Sequence, residues 1–246
     1  LLKPKLFHER SLPRKTLGIL YRISKGILID MLIDEYLMLV QHEVFGHGDK
    51  FREFNLINHT YEMNPFWPYG DGSGWASADY PNGREMSYHE EMAISFNGSQ
   101  SNKILSKTLL NGILQSQNIS YRQALLYTLT NSDLIYYVYT TEKPTNINTD
   151  DGNDILNYLF MLNKYEYNKK YREEIENNEE YLLFTDDFGL TLSKLKKMFF
   201  LDLLNPIQLY SIWTIGKIHI LDGKSNASVP MFNLFQYRYL PQINLG

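Results

Sequence analysis

The 246-residue sequence contains no cysteine. That absence removes disulfide bridges, thiolate metal sites and cysteine nucleophiles together, so any metal must be held by His, Asp or Glu. It does not settle the compartment, because reducing and oxidising locations both tolerate cysteine-free chains. Excess positive charge is missing as well. The formal net charge is −4 and the pI is near 5.9, which argues against nucleic acid or an anionic membrane surface as partner. Long hydrophobic runs are also lacking. The most apolar stretch, Met198 to Leu221, carries Asp202, Asn205, Pro206, Gln208 and Lys217, too polar for a membrane span of roughly 20 residues. It reads as a buried helix with an adjoining strand. The first residue is Leu1 and not methionine, which reads as a processed or trimmed product. No signal peptide is visible, and the location stays open, an extracytoplasmic one included.

What is present is a folding composition. The hydrophobic fraction of 43% and aromatic fraction of 14% are those of a globular chain, long enough to bury a substantial core. Residues 15 to 45 predict one long helix, because Leu17, Leu20, Tyr21, Leu28, Leu32 and Leu39 recur at three- and four-residue spacing. Arg22, Lys25, Asp30 and Asp34 mark its wetter sides, and the helix can run on to about residue 54. From 55 to 83, four glycines and three prolines punctuate an irregular insert with a short hairpin around Tyr69 to Tyr80. Helices follow at about 85–105, 121–129, 154–162, 165–177 and 190–204. Thr141 to Asn153 reads as a solvated loop, and the tail from Val229 as strand-like. The expected architecture is mainly α, a single domain over 1–246 with little sheet.

Chemistry concentrates at His42-Glu43-Val44-Phe45-Gly46-His47. Two imidazoles plus a carboxylate are a common minimal set for catalytic zinc, which keeps one position open for water. A glutamate beside the first histidine is placed to act as general base, so Glu43 takes that role. With six histidines in 246 residues, a chance match to H-E-x-x-x-H is about a one-in-a-hundred event, so the motif is read as a metal site. Its spacing is awkward. Histidines four apart share a helix face, whereas five apart differ by roughly 140°. A π-bulge would repair this, and Gly46 eases such a distortion. Glu35, seven residues before His42, is a candidate to orient a ligand.

The six residues His42 to His47 match the H-E-x-x-G-H signature of the dipeptidyl-peptidase III family of zinc peptidases, and the chain resembles that family at this motif. In that family a paired-glutamate motif, E-E-x-x-A-E, supplies the third ligand from a downstream helix. This sequence has Glu90-Glu91-Met92-Ala93-Ile94-Ser95, with Ile94 and Ser95 where alanine and glutamate would stand. The resemblance covers two motifs within roughly fifty residues. It implies a gluzincin-like core of two helices crossing at Zn2+, with Glu91 as third ligand beside His42 and His47. Glu90 and His89 are rivals for that place, since neighbouring helical residues differ by 100° and only one can face the ion.

His59, His89, Tyr88 and His8 are candidates to stabilise an oxyanion. The Gly70 to Gly74 run lacks the lysine and following helix of a phosphate loop and reads as a turn. Tyr136 to Tyr139 reads as a buried strand or helix face, since no basic surround supports base stacking. The expected activity is zinc-dependent hydrolysis of peptide or protein substrates. The alternatives are a structural or inactive metal module and a zinc hydrolase of a non-peptide amide or ester.

Overall fold

The computed structural model describes residues 12–64, 66, 70–142, 153–171, 190–200 and 204–229. It opens with one long helical rod made of α1 (Leu12–Lys25), π1 (Gly26–Met31), α2 (Leu32–Val40), π2 (Gln41–His47) and α3 (Gly48–Glu53). Residues at the junctions keep right-handed helical angles. The rod therefore never breaks; it widens where a turn takes in an extra residue.

The rod faces the protein with the side that the sequence pattern assigned to water. Leu17, Tyr21 and Leu28 are 57%, 65% and 51% exposed, whereas Asp30 and Asp34 are 4% and 1% exposed. The physical reason is pairing, because buried carboxylates are tolerated when cations and hydrogen bonds meet them. Lys25 Nζ donates to Asp30 Oδ1 at 2.7 Å, and Arg122 donates to Asp34 while approaching Asp30 at 3.2 Å. Burial pushes the Asp34 carboxyl up to about 6, overcoming Arg122, with a further push from Asp30. A carboxyl whose folded pKa lies above its unfolded 3.8 contributes stability below that value and loses it as pH rises to about 6. Between about pH 4 and pH 7, wild type should lose about 2 kcal/mol relative to Asp34→Asn. Urea denaturation of both proteins at the two pH values checks this, and parallel profiles would refute it.

The insert does form a hairpin, but a wider one than expected. Strand β1 (Ile57–Met63) pairs antiparallel with β2 (Gly74–Asp79), with an irregularity between Ile57 and Thr60. Asn58 relieves it by adopting φ 54°, a conformation asparagine tolerates better than most residues. The next helix, α4 (Tyr88–Ser116), is longer than the predicted 85–105. A capping box of Ser87 and Glu90 starts it, and Gln117 in the left-handed region ends it. Helix α5 (Tyr121–Thr140) likewise runs past residue 129 from its own capping box, Ser120 with Gln123. It carries Tyr136 to Tyr139 as a helix face, with Val138 buried and Tyr136 exposed.

Two predicted segments merge into α6 (Asp154–Tyr171), and the part from 172 to 177 lies outside the described residues. After α7 (Leu192–Phe200), Pro206 in the first turn and the Asn205 side chain start α8 (Pro206–Trp213). The strand expected after it is instead π3 (Thr214–Leu221), a direct helical continuation. Its β-branched residues suggest a strand, but Thr214 Oγ1 donates back to the Tyr210 carbonyl at 2.9 Å, a bond within a helical turn. A second small sheet joins β3 (Asn118–Ser120) to β4 (Asn226–Ser228). Most of the predicted loop 141–153 and tail 229–246 lie outside the described residues.

The architecture is mainly α, as the periodicity implied, with two two-stranded sheets among the described residues. Its apolar core has two main parts. Ile113, Ile119, Tyr127 and Ile207 knit α4, α5 and α8 together, and Leu134, Val138, Ile155 and Leu159 join α5 to α6. Helix α4 packs along α5 and α6 and crosses π2. That crossing is where the functional residues gather. Among the described residues no helix is long and apolar enough to cross a membrane.

Candidate metal centre

The motif His42 to His47 lies wholly within π2. A π-helical turn closes i→i+5 hydrogen bonds, so residues five apart come onto one face. The widening that the spacing required is therefore present. The imidazole centroids of His42 and His47 are 5.0 Å apart, and ligand-type atoms of His42, Glu43 and His47 all lie within 4.8 Å of one another. All three residues are buried.

Helix α4 supports this turn from across the crossing. Asn97 Nδ2 donates to the Gly46 carbonyl at 2.7 Å, and Ser101 Oγ donates to the Gln41 carbonyl at 2.7 Å. Carbonyls loosened by a widened turn thus find side-chain donors on the neighbour, which a buried site demands. Gly46 has a role beyond the one the spacing gave it. A Cβ there would lie 2.6 Å from Gly98 Cα and 2.9 Å from the Asn97 carbonyl, so its bare Cα is what lets α4 approach. Gly98 completes the pair. A Cβ on it would strike His42 Nε2 and come within 2.6 Å of His47 Nε2.

Around the imidazoles stand acidic groups that the sequence reading did not single out. His47 Nδ1 lies 2.8 Å from the Ile94 carbonyl; a carbonyl only accepts, so Nδ1 carries the hydrogen and Nε2 faces inward. Asp154 Oδ2 sits 2.9 Å from His42 Nε2 and 3.1 Å from His47 Nε2. Asp133 Oδ2 approaches His42 Nδ1 at 4.0 Å and accepts a hydrogen bond from Asn102 Nδ2 at 2.9 Å. The Tyr137 hydroxyl accepts from the Asp154 backbone N–H at 3.0 Å.

The electrostatics follow from this crowding. Burial lowers the His42 pKa, but the bond to Asp154 and the charges of Asp154, Asp133 and Glu43 outweigh it, holding the value at about 9. Burial pushes Glu43 up, only partly opposed by His42 and His47. Asp154 would also be raised by burial, yet the two histidines bring it below the ordinary carboxylate range. Burial keeps the Tyr137 hydroxyl protonated well beyond the usual tyrosine range. The centre favours positive charge between its imidazoles and carboxylates.

The hairpin closes the remaining side. Gly74 at the start of β2 lies so close to Glu43 that a Cβ would overlap the carboxylate. Tyr61 of β1 packs its buried hydroxyl over Gly48, beside His47.

Of the residues expected at the site, His42, Glu43 and His47 come together and Glu91 does not join them. Glu91 shares a face of α4 with Gly98 but lies two turns, about 10 Å, toward its N-terminus. It is half-buried with a raised pKa from burial, opposed by Lys164. Glu90 is committed to the helix cap and to Arg84 at 2.8 Å. His89 packs edge-on against Tyr165, and Tyr88 accepts a hydrogen bond from Asn168. His59 bonds the Leu56 carbonyl at 2.8 Å at the base of the hairpin. Glu35 is buried, raised by burial and by Asp34. His8 lies outside the described residues.

The residues missed carried faint signals. Asn97-Gly98 is an unfavourable pair for a helix interior, which points to a packing or site requirement. Asp133 interrupts an apolar stretch of α5, and Asp154 stands at the start of a predicted helix, where an acidic residue is ordinary because it suits the helix dipole.

No known protein family matches the chain, and no curated protein or solved structure matches it.

Proposed function

We propose that the protein is a zinc-dependent peptidase in which His42 and His47 hold the ion and Glu43 is the general base. The observation that carries this reading is the pair of Nε2 atoms brought together with Glu43 by the widened turn π2. The donor set fits zinc, which takes imidazole and carboxylate ligands. The bare Cα of Gly98 leaves room where the two nitrogens converge. Zinc, when bound, supplies Lewis acidity that polarises a carbonyl and makes water acidic near neutral pH.

The chain's own groups do the proton work. Glu43, its affinity for protons raised by burial, accepts one proton from water as the water oxygen bonds the scissile carbonyl carbon. It passes that proton to the leaving nitrogen as the C–N bond breaks. The hydroxyl proton of Tyr137 is free to donate, since the oxygen already accepts from Asp154 N–H.

A second reading rests on burial. Glu43 is 5% exposed and lies under Gly74, which suits a metal held for structure. Elemental analysis of the purified protein and a chelator-sensitive assay on a mixed peptide library separate the two. One zinc per chain with cleavage lost on chelation is expected. One zinc with no cleavage of any peptide favours the structural reading, and no zinc overturns both.

A further inference from the structure

We propose that Asp154, the first residue of α6, is the third protein ligand of this centre, an inference that rests on the zinc reading above. A single oxygen, Oδ2, lies 2.9 Å from one imidazole Nε2 and 3.1 Å from the other. The hydrogen on His47 is already used at Nδ1 by the Ile94 carbonyl. That leaves Nε2 of His47 as the nitrogen facing the Asp154 oxygen, as Nε2 of His42 faces it from the other side. Two ring nitrogens and one carboxylate oxygen thus converge within contact distance of one another, beside the bare Cα of Gly98. A divalent ion serves His42, His47 and Asp154 at once, with the two-nitrogen, one-oxygen set used by catalytic zinc sites.

The carboxylate is also built in, as a ligand needs to be. Its backbone N–H is tied to the Tyr137 hydroxyl at 3.0 Å, and the preceding Asn153 accepts from Leu156 N at 3.0 Å, capping the helix. Ile155 and Leu159 anchor α6 in the apolar core beside α5. The Asp154 side chain is 15% exposed and has both histidines as its partners. Glu91 has none of these features. The ligands come from π2 and from a helix that begins more than a hundred residues later.

Zinc affinity measured by competition with a chromophoric chelator tests the assignment on wild type, Asp154→Asn and Glu91→Gln. Asp154→Asn should weaken zinc binding by more than about 100-fold, beyond the 10–100-fold typical of a partner that only orients a ligand. Glu91→Gln should bind as wild type does. Zinc-edge anomalous diffraction from wild-type crystals gives a readout that does not depend on the variant folding. It should place an Asp154 oxygen about 2.0–2.2 Å from the ion. Zinc on His42 and His47 with Glu91 or only water as the next ligand would overturn this inference alone. A wild-type protein that binds no zinc would overturn it together with the reading beneath it.

Discussion

Replacing Glu43 with glutamine should abolish peptide hydrolysis while zinc stays bound. The substitution keeps the size of the side chain, so the close contact with Gly74 survives and the hairpin stays seated. What is lost is the basic oxygen. A positioned general base contributes about 10²–10⁴ in rate, so kcat should fall by at least about a hundredfold with KM little changed. Burial tunes Glu43 upward, toward the range in which a base works near neutral pH. The discriminating measurement is zinc content of the variant alongside its turnover. If zinc leaves together with activity, Glu43 is itself a ligand or a structural residue, consistent with its place among the three clustered groups. If activity persists, the base lies elsewhere.

A methyl group at position 98 should be equally disruptive, for a steric reason. In Gly98→Ala the new Cβ would lie on His42 Nε2 and 2.6 Å from His47 Nε2. These rings cannot simply swing aside. His47 is tied to the Ile94 carbonyl, and α4 touches the turn through Asn97 and Ser101. Overpacking of this kind typically costs about 1–3 kcal/mol, and displaced imidazoles should lower zinc affinity by at least about a hundredfold. Gly112 on the same helix is the control, because a Cβ there meets nothing within 4 Å. Gly112→Ala should raise stability by about 0.5–1 kcal/mol through better helix propensity and leave zinc affinity unchanged. Urea denaturation of the metal-free proteins with zinc titrations reads both quantities. A Gly98→Ala protein with wild-type affinity would mean that the crossing is looser than these distances require.

The periodicity of Leu17 to Leu39 locates the long helix, but the face it marks as apolar is largely the exposed one. Apolar spacing reports that a helix has two faces; it does not say which charges find partners. Arg122, 92 residues beyond Asp30 in the chain, turns two aspartates inward and leaves leucines outside. The glycines and prolines of the insert mark a hairpin, but its strands lie at Ile57–Met63 and Gly74–Asp79, since strand pairing is settled by a partner and not by a segment's own composition. The helices α4 and α5 ran past their expected ends because capping boxes signal starts clearly, while helix ends depend on packing.

The hexapeptide by itself determined the most local part of the site. Histidines five apart around a glutamate demand a π-helical turn if they are to share an ion, and π2 supplies it. Those three residues travel together on one stretch of backbone, so their geometry is set by a single helical turn. Only the tertiary structure decided what stands opposite them. Gly98, Asp133 and Asp154 reach the imidazoles from α4, α5 and α6, and their approach depends on how three helices pack. Side-chain spacing fixes directions around one helix axis, whereas the choice between Glu91 and Asp154 depends on distance along and between axes, which packing alone sets.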